Sequence, residues 1–309
     1  MTHLTRYAFS IGAAAGLLTG CGGSQSSFEP PGTAPANAIA RGVYARSLLY
    51  VYLDSVNIYT YPRLKLLGSL GVGGALCSDK FGNIVVSGSA GTSQVWVYPH
   101  GGGNPIAHMY DPDNAGGCSV DPSSESIAVA GTNSLNTAVI WPYNPKRGWR
   151  LLKLYTDPNI SEASYCAYDA QGDLFIDGFN AKFAFVLAEL PKGSSTFTTI
   201  TLDRKVLSPG AMQWYGKYLA IEDNNQSKSS PAVIYRFAIS GSSGHRVGVT
   251  KLMNGVGVGQ FLILGRTVIG PERYNSAWGL GFWHFPSGGA PFRTISTYAQ
   301  PYAEAISPK

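Results

Sequence analysis

Beyond residue 40 the chain is written in short apolar runs. Each is rich in Val, Ile, Leu, Tyr and Trp and is bounded by clusters of Gly, Asn, Asp, Ser and Pro. Some runs alternate apolar and polar residues; others, such as Val95-Trp96-Val97-Tyr98, are continuously apolar. Both patterns predict strands, buried on one face or on two. No long stretch carries the 3.6-residue period of an amphipathic helix, so the pattern predicts an all-β body.

The runs repeat. Residues 75–88 (ALCSDKFGNIVVSG), 117–131 (GCSVDPSSESIAVAG) and 165–178 (YCAYDAQGDLFIDG) share a cysteine, an aspartate two or three residues later, a tight turn and an apolar strand. Residues 211–223 (AMQWYGKYLAIED) and 259–271 (GQFLILGRTVIGP) are degenerate copies. A second landmark, a strand ending in an aromatic or aliphatic residue before proline, appears at Tyr61-Pro62, Tyr98-Pro99, Trp141-Pro142, Leu190-Pro191 and Phe285-Pro286. Phe237-Ala238-Ile239 fills the remaining slot without proline. The interval is about 45 residues, the length of a four-stranded propeller blade. Six copies fit into 41–309, which predicts a six-bladed β-propeller of four-stranded antiparallel blades, strands A to D.

In the second copy the strands are expected around 76–79, at 83–87 and 94–98, and around 106–110. The first copy begins at strand B (47–52). Its inner strand is expected from the C-terminal residues 303–309 (AEAISPK), which would close the ring; residues 42–45 (GVYA) are the competing source. The Asp-x-x-Gly-Asn/Asp-apolar pattern of Asp79 to Ile84 and Asp169 to Leu174 resembles the NHL/YVTN class of six-bladed propellers. That resemblance implies architecture over nearly all of the body and no particular chemistry.

The amino terminus is of another kind. Arg6 precedes an apolar run from Ala8 to Leu18, too short to cross a bilayer and laid out as a secretory signal. Leu18-Thr19-Gly20-Cys21 resembles the lipobox of bacterial lipoproteins, which implies lipidation of Cys21 and cleavage before it. An ordinary signal peptide with an incidental cysteine is the alternative. Residues 22–40 (GGSQSSFEPPGTAPANAIA) read as a flexible tether. The expected organisation is a signal at 1–20, a tether at 21–40 and a propeller at 41–309, lipid-anchored in the cell envelope outside the cytoplasm. The residue after Cys21 is Gly22, not aspartate, and the leaflet stays open.

Charged residues make up only 13% of the chain, and the net charge of +5 is spread without a basic block, which argues against nucleic acid. With Cys21 lipidated, Cys77, Cys118 and Cys166 remain, an odd number that argues against a complete disulfide framework. They share one repeat phase, where Met212 and Ala305 also stand, and are expected to serve packing. Trp96, Trp141 and Trp283 on the C strands are expected to pack between blades.

No G-x-S-x-G elbow, triad order or zinc spacing is present, and His100, His108, His245 and His284 are scattered. The B–C and D–A loops, which share one face of a propeller, carry the candidate ligand-binding residues. These are Asp54, Asn133, Asn180, Asp223, Asn224, Glu272, Arg273 and Trp278, with Asp113 and Asp157. Such a rim suits a carbohydrate, a peptide or an envelope protein. No cofactor is required; Ca2+ would suit the carboxylate and amide oxygens. The expected protein is a monomeric, non-enzymatic binding module. The alternative is a metal-dependent hydrolase resembling the six-bladed lactonases, with Asp79, Asp121, Asp169, Gln213 and Gln260 near the channel. The lactonase Glu/Asn/Asn/Asp quartet does not map onto them position by position.

Overall fold

The computed structural model describes residues 47–88, 93–132, 136–223, 231–257 and 259–308. The signal, the tether and the competing strand at 42–45 lie outside these residues, as do Asn133 and Asn224. All regular structure among them is β. The first sheet contains β1 (Leu48–Tyr52), β2 (Val56–Thr60) and β3 (Leu66–Leu70). The next two sheets follow chain order: β4 (Ala75–Ser78), β5 (Ile84–Ser87), β6 (Gln94–Tyr98) and β7 (Ala107–Tyr110), then β8 (Ala115–Val120), β9 (Ile127–Gly131), β10 (Ala138–Trp141) and β11 (Lys153–Tyr155). Antiparallel runs then form from β12 (Glu162–Tyr168), β13 (Leu174–Phe179), β14 (Phe185–Leu190) and β15 (Thr198–Leu202), and from β16 (Met212–Tyr215), β17 (Tyr218–Asp223), β18 (Ala232–Ser240) and β19 (Ser243–Leu252). The last consecutive group is β20 (Leu262–Leu264), β21 (Thr267–Tyr274), β22 (Ala277–His284) and β23 (Arg293–Ser296). One strand remains, β24 (Ala303–Ser307), and it pairs antiparallel with β1, from Leu48↔Ser307 to Tyr52↔Ala303. The chain end therefore supplies the inner strand of the first sheet.

Two of the antiparallel runs merge into one eight-stranded sheet. The junction is only Thr201↔Ser243 and Leu202↔Gly244, a short parallel contact between β15 and β19. Its origin is local. Elsewhere a proline follows the third strand directly or after one aromatic residue, and it cannot donate to the ladder. The copy holding Phe237 lacks that proline, so β18 runs on to Ser240 and turns through Gly241-Ser242 directly into β19. The lengthened hairpin reaches the neighbouring edge.

The apolar cores lie between sheets. Leu48, Tyr50 and Ile58 pack with Leu76, Ile84 and Val86, joining the first sheet to the second. Val85, Val97, Val129 and Trp141 join the second to the third. The same relation continues through Ala128, Ile140, Cys166 and Ile176, then Phe175, Leu187, Leu219 and Phe237, then Ala220, Ile234, Val268 and Trp283. Leu49 and Val51 finally pack on Ile269, Leu280 and Phe282, so the cores run in a cycle. Trp141 and Trp283 are core residues; Trp96 is half-buried and stacks on His108 at 5.3 Å.

The repeated aspartate closes the turn between the first two strands of a copy. Asp79 Oδ1 accepts the amides of Phe81 and Asn83, and Asp169 Oδ1 those of Gln171, Gly172 and Asp173. Gly82 in this turn has φ +86°, and a Cβ there would lie 2.5 Å from the Pro308 carbonyl oxygen.

Two of the three cysteines of this phase are bonded. Cys77 on β4 and Cys118 on β8 form a disulfide with Cα atoms 5.8 Å apart; Cys166 is free and buried. An odd count left room for one bond, because strands of equal phase in neighbouring copies lie side by side. Cys166 does serve packing, and its thiol approaches the Gly117 carbonyl at 3.4 Å.

Two outcomes follow from this frame. Deleting 303–309 strips the partner from β1 and exposes its edge, so the urea midpoint followed by tryptophan fluorescence should collapse; an unchanged midpoint would contradict closure by β24. Replacing Cys77 and Cys118 together by serine removes a link across 41 residues of sequence. The loss in equilibrium urea unfolding should be about 3–4 kcal/mol on the chain-entropy argument, with Cys166→Ala as the control that leaves the link intact.

Candidate functional site

The first strands of the copies converge. A cavity of about 290 Å³ is bordered by residues of β4, β8, β12, β16, β20 and β24, among them Cys77, Ser119, Tyr168, Gln213, Leu262 and Glu304. Polar side chains tie these strands together. Gln260 pairs with the Leu76 peptide through both amide atoms, accepting from its N–H at 2.8 Å and donating to its C=O at 2.9 Å. Gln213 does the same to Ile263, at 2.7 and 2.9 Å.

Gln260 also borders a larger cavity of about 670 Å³. This one opens where first strands begin and second strands end, on the face of the B–C and D–A loops. Its volume is in the range of small-ligand sites. Glycines make the room: a Cβ on Gly117 would meet the Tyr165 ring at 2.6 Å, and one on Gly73 would meet the Tyr52 ring at 2.1 Å. The walls include Tyr52, Glu162, Ser164, Tyr165, Phe179 and Tyr302. Tyr302 is fixed by its backbone, which donates to the Tyr52 carbonyl and accepts from the Gln260 amide. The Tyr52 and Tyr302 rings lie 5.7 Å apart at 40°.

Beneath this mouth sit buried acids. Asp177 is fully buried and accepts the Tyr165 amide at 3.0 Å. Burial raises its pKa well above the usual carboxylate range, against the backbone hydrogen bonds from Tyr165 and Gly210. Burial, with the neighbouring Asp223, pushes the Glu222 carboxyl up to about 8. Glu304 is 2% exposed and neither carboxyl oxygen has a hydrogen-bond partner. Its pKa is raised well above the ordinary value by burial and by Glu222. The Tyr165 hydroxyl is raised by burial and by the charges of Glu222, Asp177 and Glu304.

The described loop residues among those singled out in the sequence lie outside the lining of this mouth. Asp54 is exposed and adds, after burial and Tyr302, to raising the Tyr52 pKa. Asn180 Oδ1 accepts the amides of Lys182 and Ala184. Asp223 accepts those of Leu207 and Ser208. Asp113 is buried and takes a hydrogen bond from Asn136, and Asp157 closes a turn on Asn159. Glu272 is buried, while Arg273 is exposed and lies over the Trp278 ring at 4.8 Å. Sequence reasoning missed Tyr52, Ser164, Tyr165 and Tyr302, which look like ordinary strand-end residues. The available signal was the run of small residues opening the inner strands, Gly74-Ala75 and Ala115-Gly116-Gly117.

The channel residues considered for a metal are engaged in hydrogen bonds. Asp79, Asp121 and Asp169 spend oxygens on turn amides and hydroxyls, and Gln213 and Gln260 are bound to backbone. Among the described residues no group of three or more His, Cys, Asp or Glu side chains is placed to hold a metal ion.

No protein-family model matches the chain, and no curated protein matches its sequence. Among solved structures it is similar to the crystal structure of TolB from Acinetobacter baumannii, with TM-score 0.60 and 14% identity, over 87% of this chain and 68% of that one. This likeness shows the fold, a β-propeller.

The buried acids give a pH dependence. A carboxyl with a raised folded-state pKa keeps its proton where the unfolded chain has lost it. Between the ordinary carboxylate range and the raised value the folded state binds more protons, so stability falls as pH rises through that window. Melting temperature should therefore decline from pH 5 to above pH 8. Glu222→Gln should flatten the decline; an equal slope in wild type and variant would remove Glu222 as its source.

Proposed function

We propose that the protein is a six-bladed propeller, lipid-anchored through Cys21 outside the cytoplasm, that works as a binding module through its axial mouth. The cyclic order of the inter-sheet cores supports six blades, with the eight-stranded sheet read as two blades joined at Thr201 and Leu202. The repeated Asp-x-x-Gly turns support a place beside the NHL/YVTN class. A disulfide between β4 and β8 is compatible with an oxidising compartment. TolB, the propeller of similar fold, lends the reading its analogy only.

The observation that carries the reading is the mouth itself. It is a preformed cavity of about 670 Å³ at the common meeting point of the strands. The rings of Tyr52 and Tyr302 and the Glu162 side chain, unlike Asp157, are not consumed by turns.

Photo-crosslinking in the producing cells tests this. A benzoylphenylalanine at Tyr302, on the mouth, should give a discrete adduct, and one at Phe81, an exposed residue of an A–B turn, should not. Cys21→Ala should release the protein from the membrane fraction. Equal crosslinking from both positions would sink the mouth as the binding face, and a membrane-bound Cys21→Ala protein would sink the anchor.

A further inference from the structure

The mouth has a charge character opposite to that of the chain. The protein carries a net +5, yet among the described residues no Lys, Arg or His lines the cavity. Its ionisable lining is one carboxylate, Glu162, which is exposed, together with the phenols of Tyr52, Tyr165 and Tyr302. Asp54 stands close enough to act on Tyr52. Among the described lining residues the one fixed charge is thus an acid; Glu304, next to the lining residue Ala303, is held toward its neutral form by burial.

The rings add a second attraction. Tyr52 and Tyr302 present two tilted faces 5.7 Å apart, and Phe179 a third aromatic wall. Aromatic faces attract cations through their quadrupole, most strongly where water is partly excluded. Glu162, on the lining of the same cavity, supplies a counter-charge and a hydrogen-bond acceptor. An anion would meet Glu162 and the negative faces of the rings, and no cation among the described lining residues.

Resting on the reading of the mouth as the binding site, we propose that its ligand bears a primary ammonium or guanidinium group, held in the cavity that the Tyr52 and Tyr302 rings and Glu162 line. The two sources of such a group are the Lys or Arg side chain of an extended polypeptide and a small free amine. The cavity volume accommodates the side chain together with its flanking backbone.

The test uses blocked pentapeptides, Ala-Ala-X-Ala-Ala with X as Lys, Arg, Gln or Glu, and butylammonium, titrated into the full folded domain by NMR. At low salt the Lys and Arg peptides should bind at least fivefold more tightly than the Gln peptide, and the Glu peptide most weakly. Raising the ionic strength should weaken the cationic peptides selectively. Glu162→Gln should remove most of the preference for charge, while Tyr302→Leu should weaken all binding; an unchanged far-UV spectrum shows that each variant is folded. Butylammonium binding as tightly as the Lys peptide assigns recognition to the ammonium alone, and weaker binding assigns it to side chain and backbone together. Binding that is sensitive to Tyr302→Leu but equal for Lys, Gln and Glu overturns the cationic ligand and leaves the mouth as the site. Absence of binding by every probe overturns the cationic ligand, and crosslinking from Tyr302 then judges the mouth separately.

Discussion

Apolar packing between neighbouring sheets, carried round until it meets its own beginning, is the constraint on which this structure depends. Each sheet buries both faces, so none has a core of its own. A cycle of this kind has no terminal sheet only if the chain's two ends join in one sheet. The pairing of β24 with β1 does that. Leu49 and Val51 can then face Ile269 and Phe282, while Leu48 and Tyr50 face Leu76 and Ile84. Closure removes the exposed inner edges that would otherwise invite pairing with other chains. It also makes stability a property of the whole ring, since losing one contact surface opens two sheets.

The polar residues follow from the same geometry. Inner strands converge too closely for ordinary ladders to satisfy all their peptide groups. Side chains complete the pairing: Gln213 on Ile263, Gln260 on Leu76, and the Ser87 hydroxyl on the Gly116 carbonyl at 2.9 Å. Asp177 receives the Tyr165 amide in the same way. Glu222 and Glu304, enclosed among these strands, are held toward the neutral form by burial. A buried carboxyl that keeps its proton avoids the cost of an unpaired charge.

Much of this was legible in the chain. The third strand of the second copy falls on 94–98 in sequence and structure alike, because Pro99 marks its end and an unbroken apolar run marks its body. The turns were legible because Asp79 and Asp169 are placed where an Asx turn needs them. The same chemistry misdirected attention at the rim: Asn180 and Asp157 are conspicuous because they cap turns, and Asp223 because it holds the amides of Leu207 and Ser208. The merged sheet at β15 and β19 was not legible, although its cause, a missing proline, was. The disulfide escaped because pairing depends on which strands neighbour one another, and counting cysteines does not give that.

The mouth escaped for a deeper reason. A binding surface made of strand ends has no local pattern, since each contributor obeys the rules of its own strand. Tyr52 closes β1, Tyr165 lies within β12, and Tyr302 precedes β24; 250 residues separate the first from the last. Only closure of the ring brings Tyr52 and Tyr302 to 5.7 Å, through the hydrogen bond from the Tyr302 amide to the Tyr52 carbonyl. The site therefore exists only in the closed state. Whatever opens the β1–β24 pairing separates the two rings, so binding at the mouth and closure of the fold are thermodynamically coupled: a ligand that needs both rings stabilises the ring it sits in.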